Sequence, residues 1–255
     1  MALDNYVLHD VFEVLLVERD GAGAIKDTRF IGYTSETGFS QSIDQETIKA
    51  GIGNKTVAQI YKSKDVTFTL TNAVGSDSLL EIQTGAKFET VAQTLAVTER
   101  VTVIEKDGGA VVKLSKLPSA ENDIVGNMVV LDNNNKVIQH NGIVFASKEI
   151  SLTDRKYIGK SVVVTYFVKK SSVEVLAISG ETFPTAREIH ARSVIYDNET
   201  NKIIANVHYI LPKAMPDGNI ERSQSAGSNS NDSITFNALA DEKGNYAYYV
   251  VEKLA

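Results

Sequence analysis

With 255 residues and 43% hydrophobic content, the chain can bury a full core as one large β domain or as a domain carrying an insertion. A net charge of −6 argues against a protein that grips nucleic-acid phosphates, which needs a basic face, but leaves room for one that nucleic acid slides past. No cysteine is present, so disulfide and thiolate chemistry are excluded; Met1–Asp10 lacks the regions of a signal peptide, and no run is long enough to span a bilayer.

Nearly every periodic segment has the period of a strand. Val11–Glu18 is an apolar run ended by the turn cluster Asp20-Gly21-Ala22-Gly23, and Thr28–Thr34 reads as its hairpin partner. The polar stretch Ser35–Asn54, with Gly38, Gly51 and Gly53, reads as a long connection, a kind that is usually functional or mobile. Thr56–Tyr61 and Asp65–Thr71 resume as strands, the second with Val66, Phe68 and Leu70 on one face. One short helix follows. Ser78 and Glu81 have the spacing of a capping box, Leu79, Leu80 and Ile82 form its apolar side, and Gly85 can end it. Lys87–Val97 is again a strand.

The pattern changes near Thr98. Short runs at Val101–Lys106, Ala110–Leu114, Asn127–Leu131, Lys136–Gln139, Ile143–Ala146 and Ser161–Lys169, with turns between them, suit a small sandwich. Residues 98–170 are therefore expected to be an inserted β module, with 1–97 and 171–255 forming one discontinuous domain; the alternative is one continuous elongated β structure.

Two further runs, Arg187–Tyr196 and Lys202–Leu211, flank the turn-rich Asp197–Asn201. Ile189, Ala191, Ser193 and Ile195 share one side of the first run with Glu188, His190 and Arg192 opposite. In the second, Ile203, Ala205, Val207, Tyr209 and Leu211 share a side with Asn206 and His208 opposite. A turn centred on Glu199 pairs His190 with His208, Arg192 with Asn206 and Ile189 with Tyr209. Asp217–Asp232, rich in Ser, Asn and Gly, reads as a flexible loop. Ser233–Leu239 and Tyr246–Val251 read as a closing hairpin around Asp241–Asn245.

No catalytic, cofactor-binding or metal constellation emerges. Asn54-Lys55-Thr56 follows two glycines but lacks the glycines of a phosphate-binding loop at Asn54 and Lys49, and a strand rather than a helix comes next. Gly21-Ala22-Gly23 lacks a third glycine at Lys26. His190 and His208, even as cross-strand neighbours with Glu188 nearby, supply half of a four-coordinate site, so two solvated polar residues are the better reading. His9 and His140 sit in polar context without a partner. No Gly-x-Ser-x-Gly elbow occurs, Asp241 and Glu242 lie in a turn, and with no tryptophan there is little to stack a base or a sugar.

Taken in order, several features resemble the phage tail tube (major tail protein) family. They are the hairpin Val11–Thr34, the long loop ending Ala50-Gly51-Ile52-Gly53-Asn54, the alternating Asp65–Thr71 strand, the helix ending Gln83-Thr84-Gly85, the hairpin Arg187–Leu211, and Ile234-Thr235-Phe236-Asn237-Ala238 before the closing hairpin. The resemblance covers roughly 1–97 and 172–255; Leu114–Pro118 and Gly159–Tyr166 are similar to small sandwich modules of phage structural proteins.

It implies an all-β fold of two packed antiparallel sheets, a sandwich or barrel with one short helix. It also implies a non-enzymatic virion protein that assembles in the host cytoplasm into stacked, commonly hexameric rings. The implied partners are further copies of the chain, tape measure and tail-terminator proteins and, where the tail is contractile, a sheath, with DNA passing through without specific binding and no membrane or cofactor. In such a tube the apolar side of the long hairpin must pack on the second sheet, leaving Glu188, His190, Arg192, Asn206 and His208 for the lumen. Gln41, Ser42, Ile43, Asp44, Gln45 and Glu46 are the expected ring-stacking loop. The competing readings are a soluble β-sandwich binding or adhesion module, an enzyme on a β scaffold, and the inner tube of a contractile injection system.

Overall fold

The computed structural model describes residues 6–8, 10–119, 128–144, 148–220 and 231–254. In chain order the elements are β1 (Tyr6–Leu8), β2 (Glu13–Arg19), β3 (Ile25–Ile31), β4 (Thr34–Ala50), β5 (Lys55–Asn72), α1 (Asp77–Thr84), β6 (Phe88–Thr102), β7 (Ile104–Lys106), β8 (Gly109–Lys113), β9 (Val129–Leu131), β10 (His140–Val144), β11 (Glu149–Leu152), β12 (Ser161–Leu176), β13 (Arg187–Asp197), β14 (Ile203–Pro216), β15 (Asp232–Ala238) and β16 (Tyr248–Lys253). The fold is all-β with packed antiparallel sheets and one α-helix among the described residues. It divides into two compact units, Met1–Lys87 with Leu176–Ala255, and Phe88–Val175.

In the first unit one sheet runs β3-β2-β13-β14-β15-β5-β4, with β1 added to β13 and β16 to β14. Strand β14 is the corner. Its first half pairs β16 over Ala205–Ile210, and its end, Ala214–Pro216, pairs β15. The sheet thus has two limbs whose apolar faces meet. Val14 and Leu16 of β2 and Ile189, Ala191 and Ile195 of β13 share one core with Val66, Phe68 and Leu70 of β5 and Ile234 and Phe236 of β15. Each large side chain removed from water contributes about 1.5–3 kcal/mol. An aromatic stack ties the limbs together: Phe12 meets Phe68 and Tyr209 edge-on, and Phe39 stacks on Tyr209 at 4.6 Å.

Helix α1 closes over this core with Leu79 and Ile82 buried. Its N-cap is Ser76 rather than Ser78: the Ser76 hydroxyl accepts from the Leu79 N–H, leaving Ser78 free to accept from Arg29. Gly85 ends it in the left-handed region, φ 73°, with its backbone pressed against the Phe183 carbonyl. A Cβ there meets both an unfavourable φ and that carbonyl. Gly85→Ala is expected to cost more than about 1 kcal/mol in denaturant unfolding; a neutral change would show that the Phe183 segment yields.

The second unit is a sandwich of β10-β11-β8-β7 on β6-β12-β9. Its core includes Val112, Val130, Ile150, Val162, Val164 and Tyr166. The buried Tyr166 hydroxyl donates to Glu99 and accepts from the Lys116 N–H, so its one polar atom is satisfied.

Several sequence expectations change. Ser35–Asn54 is not a loop: it is mostly β4, paired along its length with β5, and Thr56–Tyr61 and Asp65–Thr71 are one strand. Ser233–Leu239 and Tyr246–Val251 form no hairpin with each other. β15 pairs β5 and β14, and β16 pairs β14. Lys136–Gln139 makes only a single bridge, Leu131 with Val137. Asp232, expected in a loop, begins β15 and is buried, accepting from the Ser76 N–H. Asn127, Phe145 and Ala146, His9 and the middle of the Asp217–Asp232 stretch lie outside the described residues.

Candidate assembly surfaces

The long hairpin of β13 and β14 forms, but its register differs from the sequence expectation by two residues. His190 opposes Ile210, Arg192 opposes His208, Val194 opposes Asn206 and Ile189 opposes Leu211. A bulge between Ile195 and Tyr196, followed by a turn in which Asn201 takes φ 53°, moves the centre of the turn. An even shift preserves the faces. Ile189, Ala191, Ser193, Ile195, Ala205, Val207 and Leu211 are buried, Tyr209 is half-buried and Ile203 is exposed. Glu188, His190, Arg192, Asn206 and His208 share the other face.

That face is wider than the hairpin. Strand β2 extends it on one side and β16 on the other, so rows of side chains cross five strands. One row runs Phe30, Leu15, His190, Ile210 and Tyr248. The next runs Glu13, Arg192, His208 and Val250, and beyond it Val194, Asn206 and Glu252. The surface therefore mixes apolar side chains with charged ones rather than being uniformly polar. Sequence reading missed Glu13, Leu15, Phe30, Ile210, Tyr248 and Glu252 because the pairings of β2 and β16 with this hairpin are remote in the chain.

Charges on the face are internally matched. Arg19 donates to Glu188 at 2.7 Å, and His190 Nε2 lies 2.7 Å from the same carboxylate. Arg192 donates to Asn206, which donates to Glu252 at 2.8 Å, and His208 stands 3.7 Å from Glu252. Burial pushes the Glu188 carboxyl upward, but its bonds to Arg19 and His190 prevail and hold it below the usual carboxylate range. Glu252 is likewise lowered, by Asn206 first and then by His208. Among the described residues no cluster of three His, Asp or Glu could hold a metal. The two histidines are engaged with different carboxylates.

A second charged cluster lies on the core side. The buried Arg187 donates to Glu18 at 2.9 Å and to Asp27 at 3.2 Å, Lys26 joins Glu18, and Arg29 bridges Asp27 to Glu81 of α1. Burial raises the Asp27 carboxyl, but its bonds to Arg29 and Arg187 outweigh this and lower it. Carboxyls lowered in the fold contribute stability above their unfolded values and lose it as pH falls through the folded ones. The subunit's melting temperature is therefore expected to hold near neutrality and fall below about pH 4.5, and Asp27→Asn should flatten that slope. An unchanged slope in circular-dichroism melts would remove Asp27 from the account.

The expected stacking residues Gln41–Glu46 lie on β4, facing Val66 to Ile60 of β5. Here the hairpin leaves the core: residues 41–65 are exposed on both faces, and Ile52 at the tip is fully exposed. The strands extend about 3.3 Å per residue, so the arm projects on the order of 30 Å. It carries apolar residues on both sides, among them Ile43 and Tyr61 on one and Ile48 and Ile60 on the other. Alternation disappeared in this stretch because neither face meets a core.

A sheet with unpaired outer strands, a long arm exposed on both sides and a broad charge-matched face without convergent chemistry among the described residues describes an all-β assembly subunit. The chain belongs to the YomU/Tube protein family, whose model matches residues 6–249. It is 22% identical over 223 residues to the tail tube protein of Bacillus phage SPR, covering 88% of this chain and 81% of that protein. It is 32% identical over 114 residues to the SPbeta prophage-derived uncharacterized protein YomU of Bacillus subtilis (strain 168), covering 44% of this chain and 40% of the relative.

Proposed function

We propose that the chain is the structural subunit of a phage tail tube, self-assembling into stacked rings, commonly hexameric in such tubes, that form a conduit for DNA. The projecting β4–β5 arm carries the reading. An isolated two-stranded ribbon is marginal in water, so one exposed on both faces for its outer half suits a surface completed by a neighbour. We assign Gln41–Glu46 and the facing β5 residues to contacts between rings. Glu188, His190, Arg192, Asn206 and His208 are assigned to the lumen, where matched charges leave few free cations to hold phosphates. Residues 98–170 are read as a module decorating the outside. Tape measure and terminator proteins, with a sheath if the tail is contractile, are the further partners, the virion tail its location, and the host cytoplasm the site of assembly. The role is architectural, not catalytic.

His208→Cys tests the lumen assignment in a chain without cysteine. A maleimide too bulky for the lumen should label the monomer and label assembled tubes far less. Equal labelling in both states would place this face outside.

A further inference from the structure

The limb β3-β2-β13-β14-β16 has five strands, each antiparallel to the next. With an odd number, its outer strands β3 and β16 run in the same direction. Neither has a second strand partner among the described residues. Both carry exposed apolar side chains: Ile25 at 60% and Phe30 at 64% on one edge, Tyr249 at 47% and Val250 at 42% on the other. Unpaired backbone groups flanked by apolar side chains are a template for another strand.

Resting on the ring reading above, we infer that β16 of one copy pairs in parallel with β3 of a second copy, and that the Arg192 face lines the resulting barrel. The stagger of the limb supports this joint. The row through Phe30, Leu15, His190 and Ile210 leaves the limb at Tyr248, the first residue of β16, but starts near the last residue of β3. Aligning the two edges along their length, with like faces together, sets Thr28 beside Val250 or beside Glu252. The row then enters the second copy roughly four to six residues before Phe30. With about 3.3 Å per residue and about 4.8 Å between strands, that offset over five strands is a tilt of about 30–40°. Closed barrels have strands tilted by roughly 35–45°.

The direction of the offset selects the inner face. The Ile204 carbonyl accepts from the Leu254 N–H, so even-numbered backbone groups of β14 point to β16 and odd-numbered ones to β13. For L-residues this fixes the view: seen from the core face with β3 running upward, β16 lies to the right. The natural twist of adjacent strands makes barrel strands rise to the right when seen from outside. A row followed rightward therefore enters the second copy below the equivalent residue, which here means N-terminal to Phe30, at the start of β3 or one residue before it. That holds when the core face is outside and the Arg192 face inside. With the faces exchanged the row would enter beyond Ile31, where β3 has ended.

Cysteine pairs read the joint directly. Thr28, Val250 and Glu252 are exposed, so the substitutions spare the core. The full chain carrying Thr28→Cys with Val250→Cys, and separately with Glu252→Cys, is assembled, oxidised with copper phenanthroline and run on non-reducing gels beside electron micrographs. One of the two pairs should convert most of the assembled protein to a ladder of covalent multimers, absent from each single variant and from monomers. Normal tubes with no ladder from either pair would overturn this joint while leaving the tube reading intact. A parent chain that never assembles would overturn the ring reading and the joint with it.

Discussion

Removing residues 43–64 and joining Ser42 to Asp65 through an Asn-Gly turn should abolish stacked tubes while leaving a folded subunit. Ser42 and Asp65 are cross-strand partners, so a two-residue turn can close the hairpin at that point without changing the register beneath it. Every residue removed is exposed, and none belongs to the core cluster of this unit. The melting temperature should therefore stay within a few degrees of the parent, since surface changes away from packed features are usually within about 0.5 kcal/mol. Single rings can survive, because the edge strands β3 and β16 are untouched. Long tubes from the shortened chain would show that stacking uses another surface, and an unfolded product would show that the arm stabilises the subunit itself.

Arg187→Met should be strongly destabilising. The arginine is buried and bonds two carboxylates on neighbouring strands, Glu18 and Asp27. Removing one partner of a buried ionic cluster typically costs about 3–5 kcal/mol, because the remaining charges stay desolvated and unpaired. The lower end applies here, since Lys26 and Arg29 still reach those carboxylates and Asp27 is partly solvated. Denaturant titration of the monomer gives the value directly. A loss under about 1 kcal/mol would mean that Lys26 and Arg29 neutralise the carboxylates unaided. Because Arg29 also reaches Glu81, the variant should loosen α1, seen as faster amide exchange around Leu79 and Ile82.

The parts of the fold that were legible in the sequence are those where one face meets a core. Val66, Phe68 and Leu70 alternate because β5 packs one side there, and Ile189 to Ile195 alternate for the same reason. The arm was misread because that cause is missing: with water on both sides, nothing requires apolar residues at every second position. Local turn chemistry was readable where glycine has to take a positive φ, as at Gly85. The hairpin's faces were readable but not its register, because the turn closing Asp197 on Lys202 shifts the pairing by one residue and the bulge at Ile195 and Tyr196 by a second, neither changing composition. The five candidate lumen residues do share a face. What no local pattern could show was the neighbours of that face, since β2 and β16 reach it from the two ends of the chain.

Helical reconstruction from electron micrographs of the purified chain, concentrated until it polymerises, tests the central claim most directly. The expected result is a hollow tube of stacked rings, with Arg192, His208 and Glu252 on the inner wall and the β4–β5 arm reaching the adjacent ring. A chain that remains monomeric at every concentration, or a tube whose inner wall is built from other strands, would contradict it.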